Sequence, residues 1–243
     1  MIVAYSATRN LYPYLREAIA SLLDHNKPDK IYVLAEDDEV GVPFDVQVIN
    51  VSGQTYYAPD GPNMNIIFTY MSMMRLLYVD LLPDEDKVIQ LDVDTIVCDS
   101  LEPLWNIDLT GKWFAGCPEY KGRYKPFGDD LNRPYYNVGV MVFNLDQMRR
   151  DGYVPEMVKY LNAIRLWCTE QDVLNLYGVD MHKDKEFPTR YNETQFTGQS
   201  DNPAVVHYAG FPDWWKCGEN LPRREYLQAY RERFTPPPDE IKN

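Results

Sequence analysis

The chain has 243 residues, of which 45% are hydrophobic and 14% aromatic, a composition typical of a globular protein large enough for one α/β domain. Its formal net charge of −13 disfavours nucleic-acid backbones and anionic membranes as partners. No apolar run reaches the roughly 18–20 residues that cross a bilayer, so no membrane span is expected. We expect a single domain over residues 1–235 and a mobile tail over residues 236–243.

The cysteine pattern and the first residues suggest a location. No C-x-x-C pair joins the four cysteines, so we expect free thiols in a reducing compartment. The first five residues already have the pattern of a buried strand, without the charged segment of a secretory signal. A cytoplasmic location is therefore the expectation.

The first part of the chain predicts a strand, a helix and two further strands. Residues 2–7, 30–35 and 46–51 are apolar runs of strand length, and apolar residues recur at helical spacing over 15–23. This order implies parallel strands joined by a helical crossover. Ligands of such sheets bind beyond the carboxyl ends of the strands.

Small polar residues follow the first predicted strand directly. Thr8 and Asn10 therefore fall on the binding edge of the sheet. Asn10 equally suits the N-cap of the following helix, and both interpretations remain open.

A Met-rich helix is predicted before residue 83. The positions at helical spacing are Ile67, Tyr70, Met71, Met74 and Leu77. Such a stripe is typical of core packing. Arg75 adjoins it and is either an exposed cation or, because the helix leads into the next strand, a residue near the binding edge. Pro83 ends the helix.

Two aspartates interrupt the apolar strand over residues 87–97. Buried carboxylates are costly unless they are paired or bind a cation, and residues i and i+2 of an extended backbone point to the same side. Asp92 and Asp94 therefore predict a divalent-metal site at the carboxyl end of a strand, with turn-capping carboxylates as the alternative. The other Asp-x-Asp, at residues 84–86, follows a proline and is typical of an exposed turn.

The second half alternates further elements without repeats or a dividing linker. Strands are predicted over 113–117, 138–143 and 204–208, and helices over 154–166, from 169 onward and over 225–234. The longest irregular segment, residues 118–136, carries aromatic side chains that suit stacking on sugars. A lid that packs on itself is an equally good interpretation.

Two residue patterns in this half also have ordinary structural explanations. Thr169 and Asp172 have the spacing of a capping box at a helix start. A lone histidine such as His207 is more often an ordinary hydrogen-bonded residue than a metal ligand.

Several separated segments together resemble retaining glycosyltransferases of family 8, the group that contains glycogenin and bacterial lipopolysaccharide galactosyl- and glucosyltransferases. They occur in the family's order over most of residues 1–217. The matching segments are residues 74–77, 84–97, 137–145, 170–172 and 207–210.

The resemblance implies a GT-A fold, an α/β arrangement in which helices flank a Rossmann-like mixed sheet. It also implies a metal-dependent nucleotide-sugar site, in which Asp92, Asp94 and His207 match the metal ligands. Two carboxylates, an imidazole and diphosphate oxygens suit Mn²⁺ or Mg²⁺, and Mn²⁺ accepts nitrogen better.

The same resemblance assigns residues to the UDP-sugar. Glu170 and Gln171 match a catalytic pair beneath the anomeric carbon of the donor. The residues that would bind the uridine, the diphosphate or the sugars are Ser6, Thr8, Asn10, Tyr12, Arg75, Asp92, Val93, Asp94, Asn137, Gly139, Gly210 and Lys216.

Two positions depart from the family pattern. A lysine usually lies six residues after the ligand histidine, where this chain has Asp213; Lys216, nine residues on, would replace it at the diphosphate. Glu170 replaces an aspartate and is one methylene longer, a change that could alter the choice of donor sugar.

The function implied is transfer of a hexose, glucose or galactose, from a UDP-sugar to a hydroxyl of a glycan or glycoconjugate, with retained anomeric configuration. One alternative is a binding protein of the same fold with weak or no turnover. A second alternative, a nucleotidyltransferase, normally has a Gly-rich basic loop after its first strand, which residues 6–10 do not supply.

Overall fold

The computed structural model describes residues 1–64, 66, 68–119, 133–211 and 213–234. The strands are β1 (Ile2–Ser6), β2 (Lys30–Ala35), β3 (Gln47–Asn50), β4 (Lys87–Leu91), β5 (Thr95–Val97), β6 (Phe114–Pro118), β7 (Tyr136–Asn144), β8 (Asp184–Glu186) and β9 (Val205–His207). The α-helices are α1 (Tyr12–His25), α2 (Tyr70–Met73), α3 (Tyr78–Leu81), α4 (Glu102–Trp105), α5 (Leu145–Asp151), α6 (Val154–Ala163), α7 (Thr169–Asp180) and α8 (Arg224–Phe234).

The main sheet is mixed and has the strand order β3-β2-β1-β4-β7-β6-β8. Strands β1, β2, β3 and β4 are mutually parallel, whereas β7 runs antiparallel to both β4 and β6. A second, two-stranded sheet pairs β5 with β9. The expected α/β fold with a mixed central sheet is confirmed, and the carboxyl ends of β1 and β4 meet at one edge.

Apolar residues cover both faces of the sheet. Along β1, Val3 and Tyr5 belong to one buried cluster, and Ala4 between them belongs to the other. This alternation follows from the opposite directions of successive side chains in a strand. The helices that pack on the two faces complete a three-layer arrangement.

The predicted Met-rich helix is interrupted. Its residues form α2, then a 3-10 turn over Met74–Leu77, then α3. Within the turn Arg75 donates from Nε to the Ser72 carbonyl oxygen at 2.9 Å, a carbonyl that in a regular α-helix would accept the N–H of Leu76. The methionines are core residues as predicted, because Met71 and Met74 are buried.

Helix α7 begins differently from the prediction. Cys168 is its N-cap, and the side chain of Cys168 makes no capping hydrogen bond. The Thr169 hydroxyl donates to the Glu170 carboxylate, while Asp172 accepts the Cys168 N–H at 3.0 Å. The predicted capping box is therefore wrong for Thr169, whose side chain bonds to its neighbour and not to the helix backbone, whereas Asp172 does bond back to the N–H of the N-cap residue.

The cysteine thiols and the second Asp-x-Asp sequence are as predicted. The four cysteines are free thiols, and residues 84 and 86 are exposed in a turn. No helix in the described part of the chain is long and apolar enough to cross a membrane. The tail over 236–243, position 67 and most of the aromatic segment (120–132) lie outside the described residues.

Close packing of α7 on β6 leads to a stability prediction. A Cβ at Gly178 would lie 2.4 Å from Phe114 Cε1, and Phe114 is buried against Tyr136 at a ring distance of 5.5 Å. We expect Gly178→Ala to lower the free energy of unfolding by about 1–3 kcal/mol, the usual cost of overpacking. Urea unfolding measures it. Gly53→Ala is the control, since its Cβ would meet nothing within 4 Å; equal losses in both variants would contradict the packing argument.

Candidate active site

Asp92 and Asp94 lie in the short connection between β4 of the main sheet and β5 of the second sheet. Asp92 follows β4 directly and donates its N–H to the Gly139 carbonyl oxygen at 2.7 Å. Thr95 donates its hydroxyl to the Asp92 carbonyl at 2.6 Å, and the Tyr208 N–H bonds the Asp94 carbonyl at 2.9 Å. These backbone contacts fix both aspartates at the edge of the sheet, where the sequence predicted them.

His207 brings an imidazole to the same place. It is the last residue of β9 and is paired with Thr95 on β5. Its Nε2 lies 3.2 Å from Asp94 Oδ1 and 3.8 Å from Asp92 Oδ2. The ligand atoms of the three side chains all lie within 4.8 Å of one another. This group could hold a metal ion, and its donors are those that divalent cations accept.

Arg75 is buried beside Asp92, which excludes its interpretation as an exposed helix cation. It is 5% exposed, and its Nη2 lies 2.8 Å from Asp92 Oδ1. Gln90 Nε2 donates to the same oxygen at 2.8 Å. Two donors therefore occupy Oδ1, and Oδ2 is the oxygen that faces His207.

The buried charges shift one another's ionisation. Burial raises the pKa of Asp92, an effect that the Arg75 charge opposes and the Asp94 charge reinforces. Burial alone would lower the pKa of His207, but the Asp94 and Asp92 carboxylates outweigh it and the pKa is raised. The carboxylates thus attract a cation, either a proton on His207 or a metal ion between the three groups.

A buried chain of polar side chains joins Asp92 to the end of β1. The Ser6 and Tyr78 hydroxyls lie 3.2 Å apart, and Tyr78 donates to Gln90 Oε1 at 2.6 Å. Gln90 then donates to Asp92 as described. Burial raises the pKa of Tyr78, which keeps its hydroxyl protonated and able to donate. The predicted nucleotide-binding residue Ser6 is therefore connected to the aspartate pair.

Glu170 lies in the same buried region. It is 3% exposed, accepts from the Ser72 hydroxyl at 2.9 Å, and has Oε1 3.4 Å from Arg75 Nε. Arg75 therefore lies between the carboxylates of Asp92 and Glu170 and compensates part of their charge.

Both the oxygen and the nitrogen of the Gln171 side-chain amide are hydrogen-bonded to the protein. Its Oε1 accepts the Val138 N–H at 3.2 Å, and its Nε2 lies 3.4 Å from Glu119 Oε1. The side chain is 6% exposed, so its orientation is set by the protein and not by solvent.

Gly139 packs against the imidazole, and Asn137 bonds the Gly139 backbone. The Asn137 side chain is 4% exposed and accepts the Gly139 N–H at 3.0 Å. A Cβ at Gly139 would lie 2.0 Å from His207 Cε1, so the ring occupies the space that any larger residue would fill. Both residues are engaged with the protein here, and their predicted contacts with sugar hydroxyls stay predictions.

Thr8, Asn10 and Tyr12 lie at the start of α1. Thr8 donates its hydroxyl to Asn10 Oδ1 at 2.6 Å. Leu11, not Asn10, is the N-cap of α1, so the capping interpretation of Asn10 is wrong. The Tyr12 hydroxyl accepts the Glu36 N–H at 2.9 Å, tying the first turn to the end of β2.

The remaining predicted residues differ in their surroundings. Val93 is 6% exposed and packs in the core. Gly210 has φ +81, and a Cβ there would lie 2.1 Å from Gln195 Nε2, so the position requires glycine. Lys216 is 65% exposed and pairs with Asp213 at 3.2 Å. Within the described residues, no hydrogen bond or ion pair joins Lys216 to Asp92, Asp94 or His207.

Comparison with known families decides the family. The model of glycosyl transferase family 8 matches residues 2–216. The chain belongs to this family. A role in glycosyl transfer follows from that membership.

Relatives within glycosyl transferase family 8 are distant in sequence. A putative glycosyltransferase of Haemophilus influenzae is 26% identical over 212 residues, covering 80% of this chain and 63% of that protein. General stress protein A of Bacillus subtilis is 24% identical, covering 84% of this chain and 78% of that protein. The chain therefore spans less than two thirds of the Haemophilus relative.

Solved structures of glycosyltransferases share the fold. An active-site mutant of the enzyme LgtC superposes with a TM-score of 0.74 at 21% identity, covering 98% of both chains. The glycosyltransferase GlyE of Streptococcus pneumoniae superposes with a TM-score of 0.70 at 20% identity, covering 94% of this chain and 59% of that one. The predicted GT-A fold is confirmed.

Several residues of the site in this family 8 chain were missed by the sequence reasoning. Gln90 had a visible signal, because it is a polar residue inside the apolar run before Asp92. Asn192 had no such signal in the sequence, because its neighbours are also polar. In the structure its Oδ1 bonds His207 Nδ1 at 2.8 Å. Only the fold reveals such a contact.

Proposed function

We propose that this family 8 chain is a retaining, metal-dependent hexosyltransferase. Its donor is a UDP-sugar, with glucose or galactose as the hexose, and its acceptor is a hydroxyl of a glycan or glycoconjugate. The observation that carries the proposal is the convergence of Asp92, Asp94 and His207, which are distant along the chain, at the edge of the sheet.

The three side chains fit a divalent ion by their chemistry. Asp92 Oδ2, Asp94 Oδ1 and His207 Nε2 face one another, and together they offer two hard oxygens and one nitrogen. This set suits Mn²⁺ best and Mg²⁺ as well. When bound, such an ion supplies Lewis-acid stabilisation of the diphosphate leaving group.

The end of β1 and the start of α1 would bind the nucleotide. Ser6, Thr8, Asn10 and Tyr12 belong to this edge, and the buried hydrogen-bond chain through Tyr78 connects Ser6 to the aspartates. Ligands of α/β sheets bind at such edges. Here these side chains would orient the uridine so that its diphosphate reaches the carboxylate pair.

The loop after β9 would complete the phosphate site. Gly210 in its left-handed conformation shapes the backbone there. Lys216 pairs with Asp213 and is mostly exposed, so it is available to turn toward the diphosphate, where it would offset the negative charge that accumulates on the departing UDP.

Arg75, Glu170 and Gln171 would form the sugar side of the site. The Gln171 amide oxygen accepts one hydrogen bond from Val138, and a carbonyl oxygen can accept two. Its second lone pair would stabilise positive charge at the anomeric carbon. An amide is a weak nucleophile, so a lasting covalent intermediate is not expected; the acceptor hydroxyl attacks from the face that UDP leaves and gives its proton to the departing phosphate oxygen.

Metal-dependent release of UDP tests the proposal. The purified chain would be incubated with UDP-glucose, UDP-galactose and their N-acetyl derivatives in Mn²⁺, Mg²⁺ or EDTA. We expect slow hydrolysis of one hexose donor with Mn²⁺, less with Mg²⁺ and none in EDTA, restored on returning the metal. Binding of a UDP-sugar without release under any condition would instead support the alternative, a nucleotide-sugar-binding protein of the same fold.

A further inference from the structure

An irregularity in the sheet lies directly beneath the candidate metal group. Strands β6 and β7 pair as Gly116 with Met141 on one side and as Cys117 with Asn137 on the other. Residues 138–140 of β7 therefore have no partner in the register with β6. Bulges of this type free backbone groups and are common beside active sites.

The freed Gly139 N–H fixes the orientation of Asn137. It donates to Asn137 Oδ1 at 3.0 Å. Amide oxygen and nitrogen atoms are ordinarily hard to distinguish, but a backbone N–H can only donate. The Asn137 atom beside it must therefore be the oxygen.

This orientation is passed on to Asn192 and then to the imidazole. Asn192 places Nδ2 3.0 Å from Asn137 Oδ1, and only its nitrogen can bond an oxygen that cannot donate. Asn192 Oδ1 consequently faces His207 Nδ1 at 2.8 Å. Since that oxygen can only accept, Nδ1 must carry the hydrogen, and the lone pair of the neutral ring lies on Nε2, which faces the two aspartates.

The same bulge orients the amide proposed to lie beneath the sugar. The Val138 N–H donates to Gln171 Oε1 at 3.2 Å, which turns Nε2 toward Glu119. Asn137 Nδ2 also donates to Glu119 Oε1, at 2.9 Å. A single buried network thus runs from His207 to Gln171 and takes its direction from two consecutive backbone N–H groups.

We infer that Asn192 is the positioning residue for His207, holding Nδ1 as a donor so that Nε2 is presented to a divalent cation, with the Gly139 N–H as the origin of that orientation. Asn192 is itself fully buried, and its side chain bonds Asn137 and His207. The inference rests on the proposed function, because it takes His207 as a metal ligand.

Binding of Mn²⁺ in the presence of UDP tests this role without turnover. Electron paramagnetic resonance of free Mn²⁺ gives the dissociation constant. We expect Asn192→Leu, which keeps the volume but removes both hydrogen bonds, to raise the Kd about 10- to 100-fold, the usual effect of losing the partner of a metal-bound histidine. Asn192→Asp keeps an acceptor for Nδ1 and should lose less affinity than the leucine variant.

A matched control separates positioning from general stability. Asn26 is another buried amide; it accepts the Leu101 N–H at 2.7 Å and donates to the Asp99 carbonyl oxygen at 3.3 Å, and it touches none of the site. Asn26→Ala should lower the melting temperature and leave the Kd unchanged. Equal Kd values for wild type and Asn192→Leu would overturn the inference.

A second measurement needs no variant of Asn192. The chain has three histidines, so nitrogen-15 spectra of the metal-free wild-type protein, recorded at a pH at which the His207 ring is neutral, are simple, and His25→Gln and His182→Gln identify the other two. We expect a protonated Nδ1 and an unprotonated Nε2 on His207. The opposite tautomer would overturn the inference while leaving the proposed function standing. Failure of the proposed function would show differently, since wild type itself would then bind no Mn²⁺ with UDP.

Discussion

Replacing Asp94 with asparagine is expected to reduce metal-dependent UDP release by on the order of 10³-fold, with little change in melting temperature. The amide has the size of the carboxylate but lacks its charge, and a metal supplies several kcal/mol of transition-state stabilisation, at about 1.36 kcal/mol per factor of ten. The Asp94 side chain is 22% exposed, so the substitution does not disturb the core. Initial rates with Mn²⁺ and a thermal melt measure both quantities.

The chain supplies a matched control for this variant in its other Asp-x-Asp sequence. Asp86 is exposed in the turn before β4, and Asp86→Asn should keep wild-type rates. An Asp94→Asn enzyme with wild-type turnover in metal-free buffer would show that the mechanism is wrong. His207→Ala is a less clean test, because His207 is 4% exposed and its removal leaves a cavity and an unpaired Asn192 oxygen.

After Asp94→Asn, we expect Gly139→Ala to have the largest effect on metal-dependent UDP release. The new methyl group would lie 2.0 Å from His207 Cε1 and 2.7 Å from both ring nitrogens, so the ring must move. Movement breaks its bond to Asn192 and carries Nε2 away from the aspartates. We expect UDP release to fall by about 10²-fold or more and the Kd for Mn²⁺ to rise by at least about tenfold, as when the support of a ligand is lost.

The Gly139 variant also separates two explanations of this glycine. The family resemblance implies a contact with sugar hydroxyls, in which case the donor KM would rise and Mn²⁺ affinity would not change. The structure indicates room for the imidazole, in which case Mn²⁺ affinity falls. Gly178→Ala is the control for lost stability, since it crowds Phe114 on another element; an equal loss of Mn²⁺ affinity there would contradict the local explanation.

The position of the aspartates could be predicted from the sequence for a physical reason. Charged residues inside an apolar run are costly to bury, so Asp92 and Asp94 had to mark either an edge or a binding site. The sequence pattern alone left His207 an ordinary histidine; only the family resemblance placed it beside them. Its distances to both carboxylates agree with that expectation.

The supporting residues could not be predicted in the same way. Asn192 and Asn137 are 55 positions apart in the sequence yet share a hydrogen bond, and a bulge in β7 decides their orientation. The capping role predicted for Thr169 failed for the same reason, because Thr169 has φ +43 and its hydroxyl bonds Glu170. Such contacts depend on tertiary packing, which short sequence patterns do not encode.

The hydrophobic spacing of the sequence also could not predict short strands made of charged residues. Strand β8 has the sequence Asp-Lys-Glu and pairs with β6 at the edge of the sheet. Its register with β6 arises from backbone hydrogen bonds and not from an apolar face. Hydrophobic spacing therefore could not indicate it.

A crystal of the protein soaked with Mn²⁺ and UDP tests the central claim most directly, because the anomalous signal locates the ion. We expect one strong peak between Asp92 Oδ2, Asp94 Oδ1 and His207 Nε2, with the diphosphate completing the coordination. A peak at another place, or an imidazole turned away from the two carboxylates, would contradict it.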